Sequence, residues 1–216
     1  MVAIPCGRFK TLLCLGAHSD DIEIGCGGTL LRMIKANPGL KISWIVLSAG
    51  GQRTTEARRS AQFFLRNAAT ARLAIKQFRI SYFPFEGAKI KRFFESLKKL
   101  SNPDLVLTHY REDRHQDHRL VSDFTWNTFR DHFILEYEIP KFDGDLGQPN
   151  VFVPLAEEVC LEKANAVCRI FRSQNKKHWF SPDTFMGLMR LRGIECASPT
   201  RYAEAFYARK LVLGLS

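Results

Sequence analysis

Apolar positions along the first two thirds of the chain alternate between two periods. Residues 11–16 form a short, nearly unbroken apolar run, the pattern of a strand buried on both faces. Residues 27–36 repeat apolar positions at helical spacing and stop before Asn37-Pro38-Gly39, a strong breaker. A second strand is predicted over 41–48, ending at Gly50-Gly51. Residues 54–76 predict one long amphipathic helix, with Ala57, Ala61, Phe64, Leu65, Ala68 and Leu73 on its apolar face. A third strand (78–83), a basic helix (90–100), a fourth strand (104–108), a helix (120–129) and a fifth strand (133–139) follow.

Strands that alternate with helices predict an α/β fold, a Rossmann-like three-layer sandwich with a mostly parallel central sheet. For the common doubly wound order 3-2-1-4-5, ligands bind where the order reverses, between the first and fourth strands. Beyond residue 140 the pattern changes. Residues 141–150 read as a polar loop, 156–171 as a helix, 184–191 as a helix opened by Ser181-Pro182-Asp183, and 201–212 as a last periodic element. With no linker in sight, residues 1–216 read as one domain whose tail walls the pocket.

Composition narrows the class. The chain is 45% hydrophobic and 25% charged, which is ordinary for a globular protein. Its apolar runs are too short to span a bilayer. Residues 1–17 are interrupted by Arg8 and Lys10 and do not read as a signal peptide. Cys6, Cys14, Cys26, Cys160, Cys168 and Cys196 form no C-x-x-C and read as packing residues of a reduced compartment, so a cytoplasmic location is expected. The net charge of +10 reads either as a solvated basic surface or as attraction to an anionic partner, such as a phosphate- or nucleotide-linked small molecule. No nucleic-acid-binding motif accompanies the charge, so nucleic acid is not expected.

The candidate chemistry sits at the two loops that topology brings together. After the first strand comes Ala17-His18-Ser19-Asp20-Asp21-Ile22-Glu23-Ile24-Gly25-Cys26-Gly27-Gly28. Adjacent aspartates beside a histidine repel one another unless a cation or proton lies between them. Helix capping explains one Asp, but not both and not the His. After the fourth strand comes Asp113-Arg114-His115-Gln116-Asp117-His118, whose histidines share a face if they open a helix. His18, Asp21 and His118 supply the three ligands of a catalytic zinc (Zn2+). Asp20 and His115 then remain, a carboxylate to take a proton from water and an imidazole to stabilise an oxyanion and protonate a leaving nitrogen. Asp117 lies close to both histidines and is able to orient one of them. His109 is a candidate lining residue, and His132 and His178 read as structural or surface groups.

These segments resemble the LmbE/PIG-L family of zinc-dependent N-deacetylases, which carries A-H-P-D-D before a glycine-rich turn and, later, H-P-D-H. Arg53-Thr54-Thr55-Glu56, Arg192-Gly193 and residues 202–206 extend the resemblance over nearly the whole chain. It implies that His18, Asp21 and His118 hold zinc, that Asp20 is the general base and that His115 is the oxyanion's electrostatic partner. Arg53 matches a substrate-contacting arginine. Glu86 stands where the family more often has Asp, and Arg114 is a further candidate for the pocket wall. For these three, a surface ion pair is the alternative. Ser19 and Gln116 replace the family's prolines, which is expected to loosen both ligand loops. A homo-oligomer is also implied.

The expectation is therefore hydrolysis of the N-acetyl group of an amino sugar or sugar conjugate, with Asp20 as base and a cationic His115 at the oxyanion. Two alternatives stand beside it. One is a non-catalytic nucleotide or sugar-phosphate module that holds phosphate on the Gly25 to Gly28 turn. The other is a metal-dependent phosphoesterase at the same site.

Overall fold

A computed structural model describes residues 9–100 and 102–212; Cys6 lies outside them. The strands are β1 (Thr11–His18), β2 (Lys41–Ser48), β3 (Thr70–Ile75), β4 (Leu105–His109), β5 (Phe133–Tyr137), β6 (Val151–Leu155) and β7 (Tyr202–Tyr207). They form one seven-stranded sheet in the order β3-β2-β1-β4-β5-β7-β6. The first five strands are parallel; β7 pairs antiparallel with β5, and β6 pairs antiparallel with β7 at the edge. The α/β class is as predicted, and the first five strands take the common 3-2-1-4-5 order, with a third strand other than the segment expected.

Among the described residues six α-helices cover the sheet: α1 (Asp21–Ala36), α2 (Gln52–Phe64), α3 (Gly87–Leu100), α4 (Gln116–Thr128), α5 (Glu157–Ile170) and α6 (Pro182–Glu195). Two apolar clusters separate the three layers. On one face Ile22, Leu30 and Phe64 of α1 and α2 meet Ala164 and Val167 of α5 and Phe185 of α6. On the other, Ile90 and Phe94 of α3 pack with Val121 of α4 against Leu13 and Leu15. Central parallel strands have helices on both faces, and β1 is accordingly apolar and buried from Leu12 onward.

The structure corrects several predicted elements. The helix expected over 54–76 ends at Phe64, where the Leu65 N–H closes on the Ala61 carbonyl. Residues 70–75 instead form β3, pairing Leu73 with Trp44. Alanine serves either structure, so Ala68, Ala71 and Ala74 prolonged an apparent helical period across a turn and an edge strand. The strand expected over 78–83 is absent. Gln77 makes one isolated bridge to Ser48, and the chain then turns through Ser81, at φ 63°, into a 3-10 turn at Phe83–Glu86. β6 was not foreseen, because Pro154 interrupts it; as an edge strand it tolerates a missing N–H.

α1 begins at Asp21 rather than residue 27 and kinks at Cys26 (φ −145°, ψ 17°). The kink strands backbone groups in the core, and two side chains meet them. Glu204 of β7 accepts from the N–H groups of Gly28 (2.9 Å) and Thr29 (2.6 Å). Lys163 of α5 donates to the Ile24 carbonyl (2.6 Å) and to Glu204 (2.5 Å). This arrangement closes the glycine turn to phosphate. Its helix N-terminus already holds a carboxylate, and a Cβ on Gly25 would lie 2.1 Å from the Tyr137 ring.

Candidate metal centre and catalytic cleft

β1 and β4 are neighbours at the point where strand order reverses, and the two histidine loops leave their carboxyl ends. His18 ends β1, Asp20 caps α1 and Asp21 begins it. His115 caps α4, and His118 lies in that helix's first turn. All of these but His115 are nearly fully buried.

Three of the predicted residues converge on one point. His18 Nδ1 lies 3.1 Å from His118 Nε2 and 3.5 Å from Asp21 Oδ2, and His118 Nε2 lies 3.6 Å from the same carboxylate oxygen. Ligands about 2.0–2.1 Å from a tetrahedral ion are roughly 3.3 Å apart, so the triangle has the size of one ion's coordination face. The outer nitrogens of both rings face carboxylates. His18 Nε2 is 3.1 Å from Asp117 Oδ2, and His118 Nδ1 is 2.9 Å from Asp113 Oδ2. If each outer nitrogen carries the N–H, both inner nitrogens present lone pairs. Two lone pairs and a carboxylate oxygen at this spacing repel unless a cation or proton lies among them. The donor set therefore fits a divalent ion.

The electrostatics of the site follow from the same geometry. Burial pulls the His18 imidazole down, but Asp21, Asp117 and Asp20 overcome it and raise it to about 9. Burial and the neighbouring His109 push His118 down to about 3. Asp20 is raised by burial and by Asp21, against the pull of Arg53.

The remaining predicted residues divide. Arg53 donates to Asp20 Oδ1 (2.6 Å) and to Ser19 Oγ (2.8 Å), at the mouth of the cluster. The His115 ring lies against those of His18 and His118, with centroids 4.8 and 4.7 Å away. Burial and the nearby His18 lower its pKa, against the opposing pull of Asp117, Asp21 and Asp113. Its Nδ1 accepts the Asp117 N–H (3.2 Å), which leaves the proton on Nε2 as a donor. Glu86 turns to its own loop, accepting from the Arg79 N–H (2.7 Å) and from Lys89 (3.1 Å). Arg114 has an exposed side chain, and its backbone N–H binds Asp145 (2.6 Å). Among the described residues, the polar partners of Glu86 and of the Arg114 N–H lie outside the histidine cluster.

Two residues matter more than the sequence suggested. Asp113, rather than Asp117, faces His118, and it also accepts from the His115 N–H (2.8 Å) and pairs with Lys141 (3.0 Å). His109 is fully buried, stacks on His118 at 3.9 Å and lies 3.1 Å from Asp21 Oδ2. A histidine ending an otherwise apolar buried strand was its signal. The two non-prolines also make bonds that proline would lack. Ser19 accepts from Arg53, and the Gln116 amide donates to the Ser81 carbonyl. Ser81 in turn donates its N–H to Asp117 (2.6 Å), so the strained turn is fastened over the site.

With the geometry in hand, comparison with known proteins adds the following. The family model described as PIG-L, GlcNAc-PI de-N-acetylase, matches residues 13–129, a span that contains both histidine loops. A protein of Escherichia coli (strain K12) named "Uncharacterized deacetylase YaiS" is 31% identical over 169 residues, covering 73% of this chain and 89% of that protein. The solved N,N'-diacetylchitobiose deacetylase of Pyrococcus horikoshii superposes with a TM-score of 0.69 at 20% identity, covering 94% of this chain and 85% of that one. GalB, the 4-carboxy-2-hydroxymuconate hydratase of Pseudomonas putida, superposes with a TM-score of 0.73 at 17% identity, covering 96% of this chain and 100% of that one. Among the described residues no helix is long and apolar enough to cross a membrane.

Proposed function

The chain belongs to the PIG-L family, and from that membership and the geometry of the cleft we propose that it is a zinc-dependent N-deacetylase. Its substrate is the acetamide of an amino sugar or sugar conjugate, and its products are acetate and a free amine. Fold alone does not select this reaction, since a hydratase superposes as well as a deacetylase. The observation that carries the reading is the convergence of His18 Nδ1, Asp21 Oδ2 and His118 Nε2 within 3.1–3.6 Å, beside a carboxylate outside that triangle.

His18, Asp21 and His118 would hold the ion. When bound, zinc supplies a Lewis acid for the acetamide carbonyl and makes a nearby water more acidic. Asp117 and Asp113 each take the outer N–H of a ligand histidine, which fixes the tautomer that leaves the inner nitrogen free. Asp20 takes a proton from the attacking water as the new C–O bond forms. Burial and Asp21 raise its proton affinity, which suits a base, while Arg53 holds the carboxylate in place. His115, whose Nδ1 accepts the Asp117 N–H, donates from Nε2 to the developing oxyanion. When the C–N bond breaks, the proton held on Asp20 passes to the leaving nitrogen.

The test is Asp20→Asn, assayed by acetate release from N-acetylated sugars with zinc supplied. The variant is expected to bind zinc stoichiometrically and to lose about 10²-fold or more in rate, the usual contribution of a positioned base. A rate like that of the wild type would remove Asp20 from the mechanism. Release of phosphate from sugar phosphates, without acetate from N-acetyl sugars, would replace the deacetylase with a phosphoesterase.

A further inference from the structure

A second cleft lies between α2 and the end of α5, with a volume of ≈350 Å³. Arg59, Arg169 and Arg172 line it, together with Gln52, Thr55 and Glu56. Residues 52, 55, 56 and 59 share one face of α2, and Arg169 and Arg172 approach from the opposite wall.

The charges of this cleft are unbalanced. Among the described residues, none of the three guanidinium groups is paired with a carboxylate. The one acid in the lining, Glu56, is buried and already engaged. It accepts from Gln52 Nε2 (3.0 Å), the Ser173 N–H (3.0 Å) and the Ser173 hydroxyl (2.6 Å). Protein surfaces usually interleave the two signs, whereas here three guanidinium groups surround one concavity with no carboxylate partner, Arg169 lying 5.8 Å from the Phe63 ring centre, and repel each other. Guanidinium groups offer forked donors that match a phosphoryl group's oxygens.

The cleft also adjoins the catalytic machinery. Gln52 lines it, and the next residue, Arg53, holds Asp20. Along the α2 axis Arg59 is about 9 Å from Arg53, at 1.5 Å per residue. Positive charge thus runs along α2 from Arg59 at the cleft to Arg53 at the site.

We propose that the α2–α5 cleft is a phosphoryl-binding site, formed by Arg59, Arg169 and Arg172. The phosphoryl group is either the far end of the substrate or a free phosphate that regulates the cleft beside it. The first source rests on the deacetylase reading; the binding itself does not.

Calorimetric titration of the zinc-loaded protein with inorganic phosphate tests the site. Two triple variants of equal charge are compared with the wild type: Arg59→Gln, Arg169→Gln, Arg172→Gln in the cleft, and Arg92→Gln, Lys98→Gln, Lys99→Gln on α3. All six positions are exposed, so both variants are expected to fold, which circular dichroism checks. The cleft variant should weaken phosphate binding at least about tenfold, and the α3 variant by less than about twofold. Unchanged binding in the cleft variant, or equal weakening in both, would overturn the proposal. Equal weakening means attraction to net charge, and unchanged binding means phosphate sits elsewhere, the metal included.

Acetate release then identifies the source. With a substrate-borne phosphoryl group, the cleft variant raises KM for N-acetylglucosamine 1-phosphate and not for N-acetylglucosamine. With a free effector, added phosphate changes the wild-type KM for the neutral sugar, and the cleft variant abolishes the change. If the wild type deacetylates no sugar at all, the deacetylase reading fails while the calorimetric result still decides the site.

Discussion

Asp113→Asn is the substitution that most directly tests how the site fixes its histidines. The side chain is 2% exposed, and its two oxygens divide their work. Oδ1 accepts the His115 N–H at 2.8 Å, and Oδ2 faces His118 Nδ1 at 2.9 Å and Lys141 Nζ at 3.0 Å. Burial pushes this carboxyl up, but His118, His109 and Lys141 outweigh it and hold it well below the usual carboxylate range. Asparagine keeps one acceptor oxygen, which cannot serve both sides. If that oxygen stays with His115, an NH2 group faces His118 Nδ1 and favours the tautomer whose proton is on Nε2, where an ion would bind. A charge-assisted buried hydrogen bond is worth about 1.5–3 kcal/mol. Zinc affinity is therefore expected to fall about 10–100-fold, the range typical of lost supporting carboxylates. Competition with a chromophoric chelator measures the affinity, and acetate release at excess zinc should recover much of the activity. An affinity within about twofold of the wild type, in a folded variant, would show that Asp113 does not set the His118 tautomer.

Two further predictions concern the frame around the site. Lys163→Met should lower stability by about 3–5 kcal/mol, because it leaves Glu204 buried and without its cation at the α1 kink; a urea midpoint shift equivalent to less than 1 kcal/mol, roughly, would contradict this. Asp104 accepts from the N–H groups of Lys10 (2.7 Å) and Thr11 (2.8 Å), and although burial opposes the shift, these bonds hold its pKa below the ordinary value. A depressed folded pKa gives stability that is present above the unfolded value of about 3.9 and lost as pH falls through the folded one. Asp104→Asn should therefore cost about 1 kcal/mol near neutral pH, discounted for exposure, with the difference fading at acid pH as the medium falls through the lowered folded pKa. An equal penalty in urea melts at both pH values would refute the linkage.

The legible parts of this protein were those whose meaning lies in local spacing. H-x-D-D and H-x-x-H each place their groups within one turn, and the parallel order of five strands brings the two turns to one rim. Asp113 was harder to read, because its carboxylate reaches His118 only after the loop that follows β4 curls back, a path no periodicity records. The misplaced helix over 54–76 failed for a different reason. Alanine and leucine satisfy helix spacing at low cost, and only the register of Leu73 against Trp44 reveals a strand.

Ser19 and Gln116 show where reading by resemblance reaches its limit. A proline restricts its own φ and needs no partner, so its absence reads as lost stiffness. A side chain that bonds to another loop supplies stiffness of another kind, and sequence does not display the partner. Ser19 takes the Arg53 guanidinium that also holds Asp20, and Gln116 ties the loop at Ser81 whose N–H meets Asp117. Each bond links a histidine loop to a separate segment that also touches an acid of the site. Rigidity here is shared between loops, so a change in α2 or in the turn at Ser81 is felt at Asp20 or Asp117 without altering any candidate ligand.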